Sequence, residues 1–278
     1  MLKKIEIQEL GQEEQIDFRE MEVNSFVDVS EDIQAPPVAL SCGTYTMGQN
    51  IYPIRFGTYG NYSAIKGPSK ARKSFLKSLL IASYIGGNYE YGDFLTHRQD
   101  GKESYVIDID TEQGDWDAQW GFKRVAQMVG DVYPYYRGYA LRKYTYTQRL
   151  QFIDWLVNDY YKDKIGFMCI DGVADLVNDV NDLKQANELQ EKILKWTAEG
   201  KFHLLTVIHT NFDSKKPTGH LGSAILKKAE TICHITKNDS ISDVEFEYTR
   251  GYSPKNFSFE VNNGLPYLVD SSNNGLTW

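Results

Sequence analysis

Apolar residues follow two alternating patterns along this chain, and together they predict a mostly parallel sheet covered by helices. Short apolar runs, typical of buried strands, lie at 61–67, 104–110, 165–171 and 201–210, with a further strand predicted over 136–144. Apolar residues recur at helical spacing over the segments 73–87, 115–130, 147–161 and 182–197. After residue 230 the pattern predicts strands alone, so we expect antiparallel strands at the C-terminal edge of the sheet.

The N-terminal segment differs from the rest of the chain in charge and in chain-breaking residues. Residues 1–32 hold ten acidic and three basic residues, and the consecutive prolines Pro36 and Pro37 follow them. Because prolines restrict the backbone and end regular elements, we expect residues 1–36 to form an acidic arm or linker. Residues 37–278 then form one α/β domain, a length that suffices for a single large core.

Composition indicates an ordinary globular protein of a reducing compartment. Hydrophobic residues make up 41% of the chain and charged residues 24%, and no run of about 18 apolar residues predicts a membrane-spanning helix. The N-terminal residues lack the apolar stretch of a signal peptide. The three cysteines are odd in number and widely separated, which argues against a disulfide framework or a zinc site. We therefore expect a cytoplasmic protein that does not associate with a membrane.

The segment 67–74 is predicted to bind the phosphates of a nucleotide. Its sequence, GPSKARKS, joins a predicted strand to an amphipathic helix, as a P-loop does. Backbone N–H groups of such a turn surround phosphate oxygens; Lys73 would reach the β- and γ-phosphates of ATP, and Ser74 would bind Mg²⁺. The predicted nucleotide-binding residues are Gly67, Pro68, Ser69, Lys70, Ala71, Arg72, Lys73 and Ser74.

Arg72 stands where the P-loop pattern has its second glycine. If this position requires a positive φ, arginine there costs on the order of 1 kcal/mol. The cations of Lys70, Arg72 and Lys73 are unfavourable beside a helix N-terminus unless an anion binds there. The substitution is therefore compatible with a phosphate site, and a basic turn without a ligand is the simpler alternative.

Acidic residues and a histidine close three other predicted strands. Asp171 ends one of them, at the place where a P-loop hydrolase has its second Mg²⁺ partner. Asp108, Asp110 and Glu112 lie at the end of another, where acids commonly cap the next helix, and where Glu112 could orient the attacking water. His209 ends a third strand, and beside a γ-phosphate it could sense hydrolysis through a hydrogen bond. Open α/β sheets bind ligands at this carboxyl edge.

These motifs together resemble the RecA-fold ATPases, specifically the DnaB- and RepA-like replicative helicases, and among them the small plasmid and phage proteins. The family pattern is a P-loop, a strand ending in glutamate, an apolar strand ending in IDG, a strand ending in His or Gln, and a loop before G-S/T. This sequence holds, in that order, GPSKARKS, YVIDIDTEQ, FMCIDGVADLV, LLTVIHTN and TGHLGSAILKKAET. The resemblance covers roughly residues 55–265 and implies a RecA-like, mostly parallel twisted sheet flanked by helices.

The resemblance implies a role for each matched residue. Lys73 and Ser74 correspond to the phosphate and Mg²⁺ residues of the P-loop, and Asp171 corresponds to the Walker B aspartate, the other Mg²⁺ partner. Glu112 corresponds to the glutamate that activates water. His209 corresponds to the residue that links the γ-phosphate to a loop that binds nucleic acid.

The resemblance also implies nucleic acid and further copies of the chain as partners. Residues 211–222 correspond to the mobile loop that faces a ring channel, where Lys215, Lys216 and His220 would contact the nucleic-acid backbone. The family assembles into homo-oligomeric rings, here expected to be hexameric, in which a basic residue of the neighbour completes each site. Arg250 is the first candidate for that residue, followed by Lys237 and Lys228. We expect the acidic arm to pack on a neighbouring subunit.

The predicted function is that of an ATPase motor on single-stranded nucleic acid, as in a RepA-like DNA helicase of plasmid or phage replication. DNA is the expected ligand, and RNA is the alternative. A second interpretation is an ATP-binding assembly or loader module without unwinding activity. The net charge of −8 and the few cations of the loop favour that module, whereas Glu112 argues against a passive binder. A third interpretation is a RecA-like protein with an inactive site, which the substituted P-loop allows.

Overall fold

The computed structural model describes residues 17–87, 89–98, 104–211 and 215–269. The chain divides into two units, Met1–Ala35 and Pro36–Trp278. In the first unit, α1 (Phe18–Ser25) begins after Asp17, whose carboxylate accepts hydrogen bonds from two N–H groups of the first turn. No residue of α1 is buried, so this cap supports the helix and burial within the unit does not.

The second unit is built from strands in two sheets. Among the described residues its strands are β1 (Val38–Met47), β2 (Asn50–Thr58), β3 (Tyr62–Gly67), β4 (Phe94–Thr96), β5 (Tyr105–Asp110), β6 (Tyr136–Ala140), β7 (Ile165–Asp171), β8 (His203–His209), β9 (Thr231–Asn238), β10 (Ile241–Thr249), β11 (Phe257–Asn262) and β12 (Leu265–Val269). The smaller sheet is antiparallel with the order β2-β1-β4, and the larger has the order β12-β11-β10-β9-β3-β8-β7-β5-β6.

Helices connect these strands and cover the larger sheet. They are α2 (Lys73–Ile85), α3 (Asp115–Val129), α4 (Tyr146–Trp155), α5 (Leu183–Gly200) and α6 (Gly219–Lys228). A π-helical turn, Leu156–Tyr160, continues α4, and a 3-10 turn, Val173–Leu176, follows β7. In the part of the chain that the structure describes, no helix combines the length and apolarity needed to cross a bilayer.

Six neighbouring strands of the larger sheet, from β9 to β6, run parallel, and β10, β11 and β12 extend the sheet in antiparallel fashion. The prediction of a mostly parallel α/β sheet with antiparallel strands at its C-terminal edge is therefore confirmed. The strand β9 differs in one respect from the expectation, because it pairs in parallel with β3. The helix α6 provides the crossover that a parallel connection requires.

Two hydrophobic clusters lie on the two faces of the larger sheet. Adjacent strand residues alternate between them, so that Ile65 of β3 belongs to the first cluster and Ala64 to the second. The helices α2 and α3 and the small sheet pack in the first cluster, and α4, α5 and α6 pack in the second. Helices on both faces leave the edges of the sheet as the places where a ligand can reach the strand ends.

Several boundaries differ from the predictions, and the strand predicted over 136–144 already ends at Ala140. The predicted loop 211–222 ends at Thr218, because Leu221, Ala224 and Ile225 follow a helical spacing and are buried in the second cluster as part of α6. The predicted helix over 147–161 is α4 followed by the π-helical turn. The small antiparallel sheet was not predicted, since its strands have mixed burial and give no regular apolar alternation.

Candidate functional site

Four parallel strands bring their carboxyl ends to one edge of the larger sheet. Gly67 of β3 is in register with His209 of β8, and Asp110 of β5 is in register with Asp171 of β7. Because β8 and β7 are also parallel neighbours, all four ends meet at the same edge. An open cavity of about 280 Å³ lies there, and its lining residues are Lys70, Arg72, Lys73, Ser74, Phe75, Glu112, Gln113, Asp171 and His209.

The turn between β3 and α2 has the backbone of a tightly packed loop. A Cβ atom on Gly67 would lie 2.5 Å from the carbonyl oxygen of Ile235, so this position requires glycine. Arg72 immediately precedes α2 with φ +70° and ψ 30°, a left-handed conformation that glycine adopts without strain. The substitution of the second P-loop glycine therefore places an arginine where positive φ is needed. The Arg72 guanidinium donates a hydrogen bond to the carbonyl of Ser240, in the turn between β9 and β10.

The Lys73 ammonium lies inside the turn that precedes its own helix. It donates hydrogen bonds to the carbonyls of Gly67 and Pro68 at 3.0 and 2.9 Å, and it lies 3.1 Å from Nδ1 of His209. Burial lowers the pKa of Lys73, and the carboxylates of Asp171 and Glu112 act against that shift. Lys73 is thus a nearly buried cation whose neutral partners can be exchanged for an anion.

Glu112 and His209 are joined by a hydrogen bond of 2.7 Å between Oε1 and Nε2. Since the Lys73 ammonium can only donate, Nδ1 of His209 accepts and Nε2–H donates to Glu112, which assigns the neutral tautomer to this ring. The hydrogen bond from His209 lowers the pKa of Glu112. The three side chains form a continuous path from the turn between β3 and α2 to a carboxylate just after β5.

Thr111 extends the pairing of β5 and β7 past their last residues. Its N–H donates to the carbonyl of Asp171 at 2.7 Å, and its hydroxyl oxygen accepts a hydrogen bond from the N–H of Gly172 at 2.9 Å. Asp110 accepts hydrogen bonds from the N–H groups of Glu112 and Gln113, which is the capping role that acids after a strand commonly have. These bonds fix the backbone that carries Glu112.

Asp171 lies beside a lysine that the sequence patterns did not single out. Lys77 of α2 has its Nζ 3.5 Å from Asp171 Oδ2 and 3.1 Å from Asp108 Oδ1. Burial raises the pKa of Asp171 to about 6, and the charge of Lys77 opposes this rise. The sequence did hold a signal for Lys77. It is a charged residue among the mostly apolar residues of α2, and a buried charge must be paired.

The donors around Asp171 and Ser74 fit a magnesium ion. Both residues line the same cavity, and a carboxylate with a hydroxyl is the kind of oxygen set that Mg²⁺ takes together with phosphate oxygens. A second group of metal-ligand atoms, on His234, Glu245 and Glu247, lies within 4.8 Å of one another. There the ammonium groups of Lys66 and Lys215 already pair with the carboxylates at 2.6 and 2.5 Å, so the protein supplies the cations itself.

The loop after β8 carries the residues predicted to contact nucleic acid. Lys215 forms ion pairs with Glu245 at 2.5 Å and Glu247 at 3.7 Å, and its carbonyl accepts a hydrogen bond from Lys66. The carbonyl of Lys216 accepts a hydrogen bond from the N–H of Asn211 at 3.1 Å. His220 is exposed and lies in the first turn of α6, not in the loop. Residues 212–214 of the predicted loop lie outside the described residues.

Arg250 lies at the opposite edge of the sheet from Lys73. It follows Thr249 of β10, which pairs with Thr231 at the start of β9. Its N–H donates to the carbonyl of Glu230 at 2.8 Å, and its carbonyl accepts a hydrogen bond from Arg55 at 3.1 Å. The structure of one chain therefore does not bring Arg250 to the other predicted site residues, and its role in a neighbour's site stays a prediction.

The alternative candidates for that role lie elsewhere. Lys237 is near the end of β9, in register with Ser242 and close to the turn that Arg72 contacts, and Lys228 is the last residue of α6. A larger cavity, of about 520 Å³, opens beside Ser104, Lys164 and Lys201 at the amino ends of the strands. It contains none of the predicted site residues.

The comparisons with known proteins do not assign this chain to a family. No protein-family model matches its sequence, and a search of curated proteins gave no match. The resemblance to the DnaB- and RepA-like helicases thus rests on five short motifs, of which four contribute residues to one cavity, and it stays a prediction.

Proposed function

We propose that the protein is a Mg²⁺-dependent P-loop ATPase. The observation that carries this proposal is the convergence of Lys73, Ser74, Asp171, Glu112 and His209 on one cavity at the carboxyl edge of a parallel sheet. These residues come from four separate parts of the chain. If this segment were only a basic turn at the start of a helix, there would be no reason for two carboxylates and a histidine to border the same cavity.

Binding of the triphosphate follows from the turn and from the start of α2. The N–H groups at the beginning of a helix of 13 residues attract an anion. Lys73 exchanges the carbonyls of Gly67 and Pro68 for phosphate oxygens, a favourable change because a charge-assisted hydrogen bond is stronger than one to a neutral carbonyl. Lys70 lies in the same turn and extends its positive surface, and Ser69 adds a hydroxyl group there.

Ser74 and Asp171 would hold the magnesium ion that accompanies the nucleotide. When bound, Mg²⁺ neutralises the charge of the phosphate oxygens. Lys77 keeps Asp171 in its place from the side away from the cavity by an ion pair. The carboxylate of Asp171 must be ionised for this task, because a protonated acid is a poor ligand for a hard cation.

Glu112 is proposed to orient the attacking water. Its pKa is lowered by the hydrogen bond from His209, so at neutral pH it is an acceptor, as the positioning of water requires. His209 is also bonded through its backbone to the loop, since its carbonyl accepts a hydrogen bond from Thr218 at 3.1 Å. A change in the His209 side chain on hydrolysis is therefore transmitted to residues 211–218.

We further propose that this ATPase acts as a motor on single-stranded DNA, as a ring of identical subunits in the cytoplasm. The motif resemblance supports this step, and the position of the loop beside His209 is compatible with it. Lys215, Lys216 and His220 are the proposed contacts of the nucleic acid, and Arg250 is the proposed residue of the neighbouring subunit. Single-stranded RNA is the alternative ligand.

One observation favours the second candidate, an ATP-binding assembly or loader module that does not unwind. Lys215 is paired with Glu245 and Glu247, so a principal cation of the loop is partly neutralised before any nucleic acid arrives. Unwinding of a forked substrate separates the candidates, because a loader would hydrolyse ATP and assemble without separating strands.

ATP hydrolysis by the purified chain, with and without single-stranded DNA at low salt, tests the proposal. We expect Lys73→Ala to weaken ATP binding by about 100-fold, or about 3 kcal/mol, because it removes charged hydrogen bonds to phosphate. Glu112→Gln should retain ATP binding and lose turnover. Lys192→Met is the matched control, since Lys192 of α5 pairs with Asp154 of α4 and neither residue lines the cavity. Unchanged ATP binding by Lys73→Ala would support the inactive-site interpretation.

A further inference from the structure

Lys77 is a lysine without a part in the phosphate-binding steps, although it lies beside them. It is three residues after Ser74 and four after Lys73 on α2, so the three side chains share one face of the helix. Its side chain is 2% exposed, a burial that a lysine reaches almost only when its charge is paired.

Two buried carboxyl groups pair with this one ammonium, and a third lies near enough for its charge to act on it. Lys77 Nζ is 3.1 Å from Asp108 and 3.5 Å from Asp171, and the nearby charge of Asp110 also stabilises it. Asp108 is fully buried and its second oxygen accepts a hydrogen bond from the hydroxyl of Tyr136 at 2.8 Å. One oxygen of Asp108 therefore accepts a hydrogen bond, whereas the other has only the ion pair with Lys77, which connects it to Asp171.

A buried group of carboxylates is the kind of site that binds divalent cations. In this protein an ammonium of the chain itself already pairs with Asp108 and Asp171 and offsets part of their charge. A divalent ion that binds near Asp171 then meets two opposed charges, the attraction of the carboxylates and the repulsion of Lys77. Both are strong because the groups are shielded from water.

We propose that Lys77 is the permanent cation of this cluster and sets the affinity of the site for divalent metal. Its charge offsets part of the carboxylate charge that would otherwise attract a divalent ion, and so keeps metal binding weak until a nucleotide adds its phosphate oxygens. The inference deepens the proposed function, on which it rests for the role of the nucleotide. Lys77 is an affinity-setting residue that acts through Asp171 and does not contact the substrate.

This role predicts effects of opposite sign for two neighbouring substitutions. Lys77→Met removes the repulsion and should strengthen divalent-ion binding. Asp108→Asn removes a negative charge that offsets Lys77, so the repulsion of the metal ion grows and its binding should weaken. A purely structural ion pair predicts the same sign for both, since each would loosen the site. The double variant Lys77→Met with Asp108→Asn removes one charge of each sign and should lie close to the wild type.

Binding of Mn²⁺, followed by electron paramagnetic resonance, measures these effects without any need for turnover. Mn²⁺ takes the same oxygen ligands as Mg²⁺. Without nucleotide, we expect Lys77→Met to bind Mn²⁺ about tenfold more tightly than the wild type. With ADP present, we expect Asp108→Asn to bind Mn²⁺ about tenfold more weakly. Lys192→Met, which breaks an ion pair outside the cluster, should leave both values unchanged.

The outcomes separate this inference from the proposed function. Unchanged or weaker Mn²⁺ binding by Lys77→Met, or unchanged or tighter binding by Asp108→Asn, overturns the inference. If Lys77→Met alone does not fold, the double variant decides, because it must bind Mn²⁺ more tightly than Asp108→Asn. A wild type that binds no Mn²⁺ with any nucleotide contradicts the proposed function, while the arm without nucleotide still decides the role of Lys77.

Discussion

His209 and Glu112 lie at the ends of two strands that are not neighbours, and their side chains form a hydrogen bond over the glycine that follows the strand between them. His209 closes β8 and Glu112 follows β5, with β7 between them. His209 Nε2 and Glu112 Oε1 are 2.7 Å apart. A Cβ atom on Gly172, which follows β7, would lie 2.6 Å from Glu112 Oε1. Because Gly172 has no side chain, the Glu112 carboxylate can cross the end of β7 and reach His209 on β8.

We expect Gly172→Ala to separate Glu112 from His209 at little cost in stability. The φ of Gly172 is −114°, which alanine adopts freely, and the obstructing atom is the end of a flexible side chain. Turnover of ATP should fall by about 100-fold, since a displacement of about 1 Å can cost this much, while nucleotide affinity is retained. The control is Gly121→Ala on α3, where an added Cβ meets no atom within 4 Å. Unchanged turnover in Gly172→Ala would show that the contact has no role in catalysis.

Arg72 provides a test of backbone strain in the phosphate turn. Arg72→Gly should be more stable than Arg72→Ala by about 1 kcal/mol, because φ is +70° and only glycine is unstrained there. Both variants lose the hydrogen bond to Ser240, so this loss cancels in the comparison. Urea denaturation of the two variants measures the difference. Equal stabilities would mean that the position does not keep its left-handed conformation in solution.

Asp171 predicts a pH dependence of metal binding. Burial raises its pKa to about 6, so the carboxylate is mainly ionised at pH 7.5 and mainly protonated at pH 5. Because metal competes with this proton, the Mg²⁺ concentration for half-maximal activity should rise by about tenfold for each pH unit below 6. For stability the sign is reversed: the raised pKa favours the folded state below pH 4, and this contribution is lost as the pH rises through 6.

Measurements of Mg²⁺ dependence at pH 5, 6 and 7.5 decide this prediction. Asp171→Asn serves as the control, since it should lose the pH dependence together with most of the metal affinity. A half-maximal Mg²⁺ concentration that stays constant from pH 7.5 to pH 5 would remove Asp171 from the metal site.

The pairing of Lys215 with Glu245 predicts that acidic residues of β10 restrain binding of nucleic acid. Glu245→Gln should raise the affinity for single-stranded DNA at low salt several-fold, since it frees a cation for phosphate. Lys215→Ala should lower that affinity and reduce the salt dependence by about one released counterion. The control is Glu260→Gln, which also removes one negative charge, at an exposed position of β11. Equal gains in Glu245→Gln and Glu260→Gln would mean that only net charge matters.

The predictable part of the site consists of residues at strand ends. Asp171 and His209 could be found because each closes a continuous apolar run, and Lys73 because it follows a strand and a glycine-containing turn; parallel strands bring such ends to one edge. Lys77 was missed because its charge interrupts an apolar helix face, where the pattern indicates core. Its partner Asp108 is inside β5, and only pairing of β5 with β7 brings it beside Asp171.

The sequence by itself determined the order of the strands and helices that build the parallel part of the larger sheet, and it singled out the turn that follows Gly67, because these depend on local spacing of residues. Only the tertiary structure decided which side chains lie next to one another. It placed Glu112 over Gly172 against His209, turned Arg72 towards Ser240, paired Lys77 with two buried carboxyl groups, and left Arg250 at the far edge. Such contacts join residues far apart in the chain, and their energies depend on distance and burial, which spacing along a sequence does not contain.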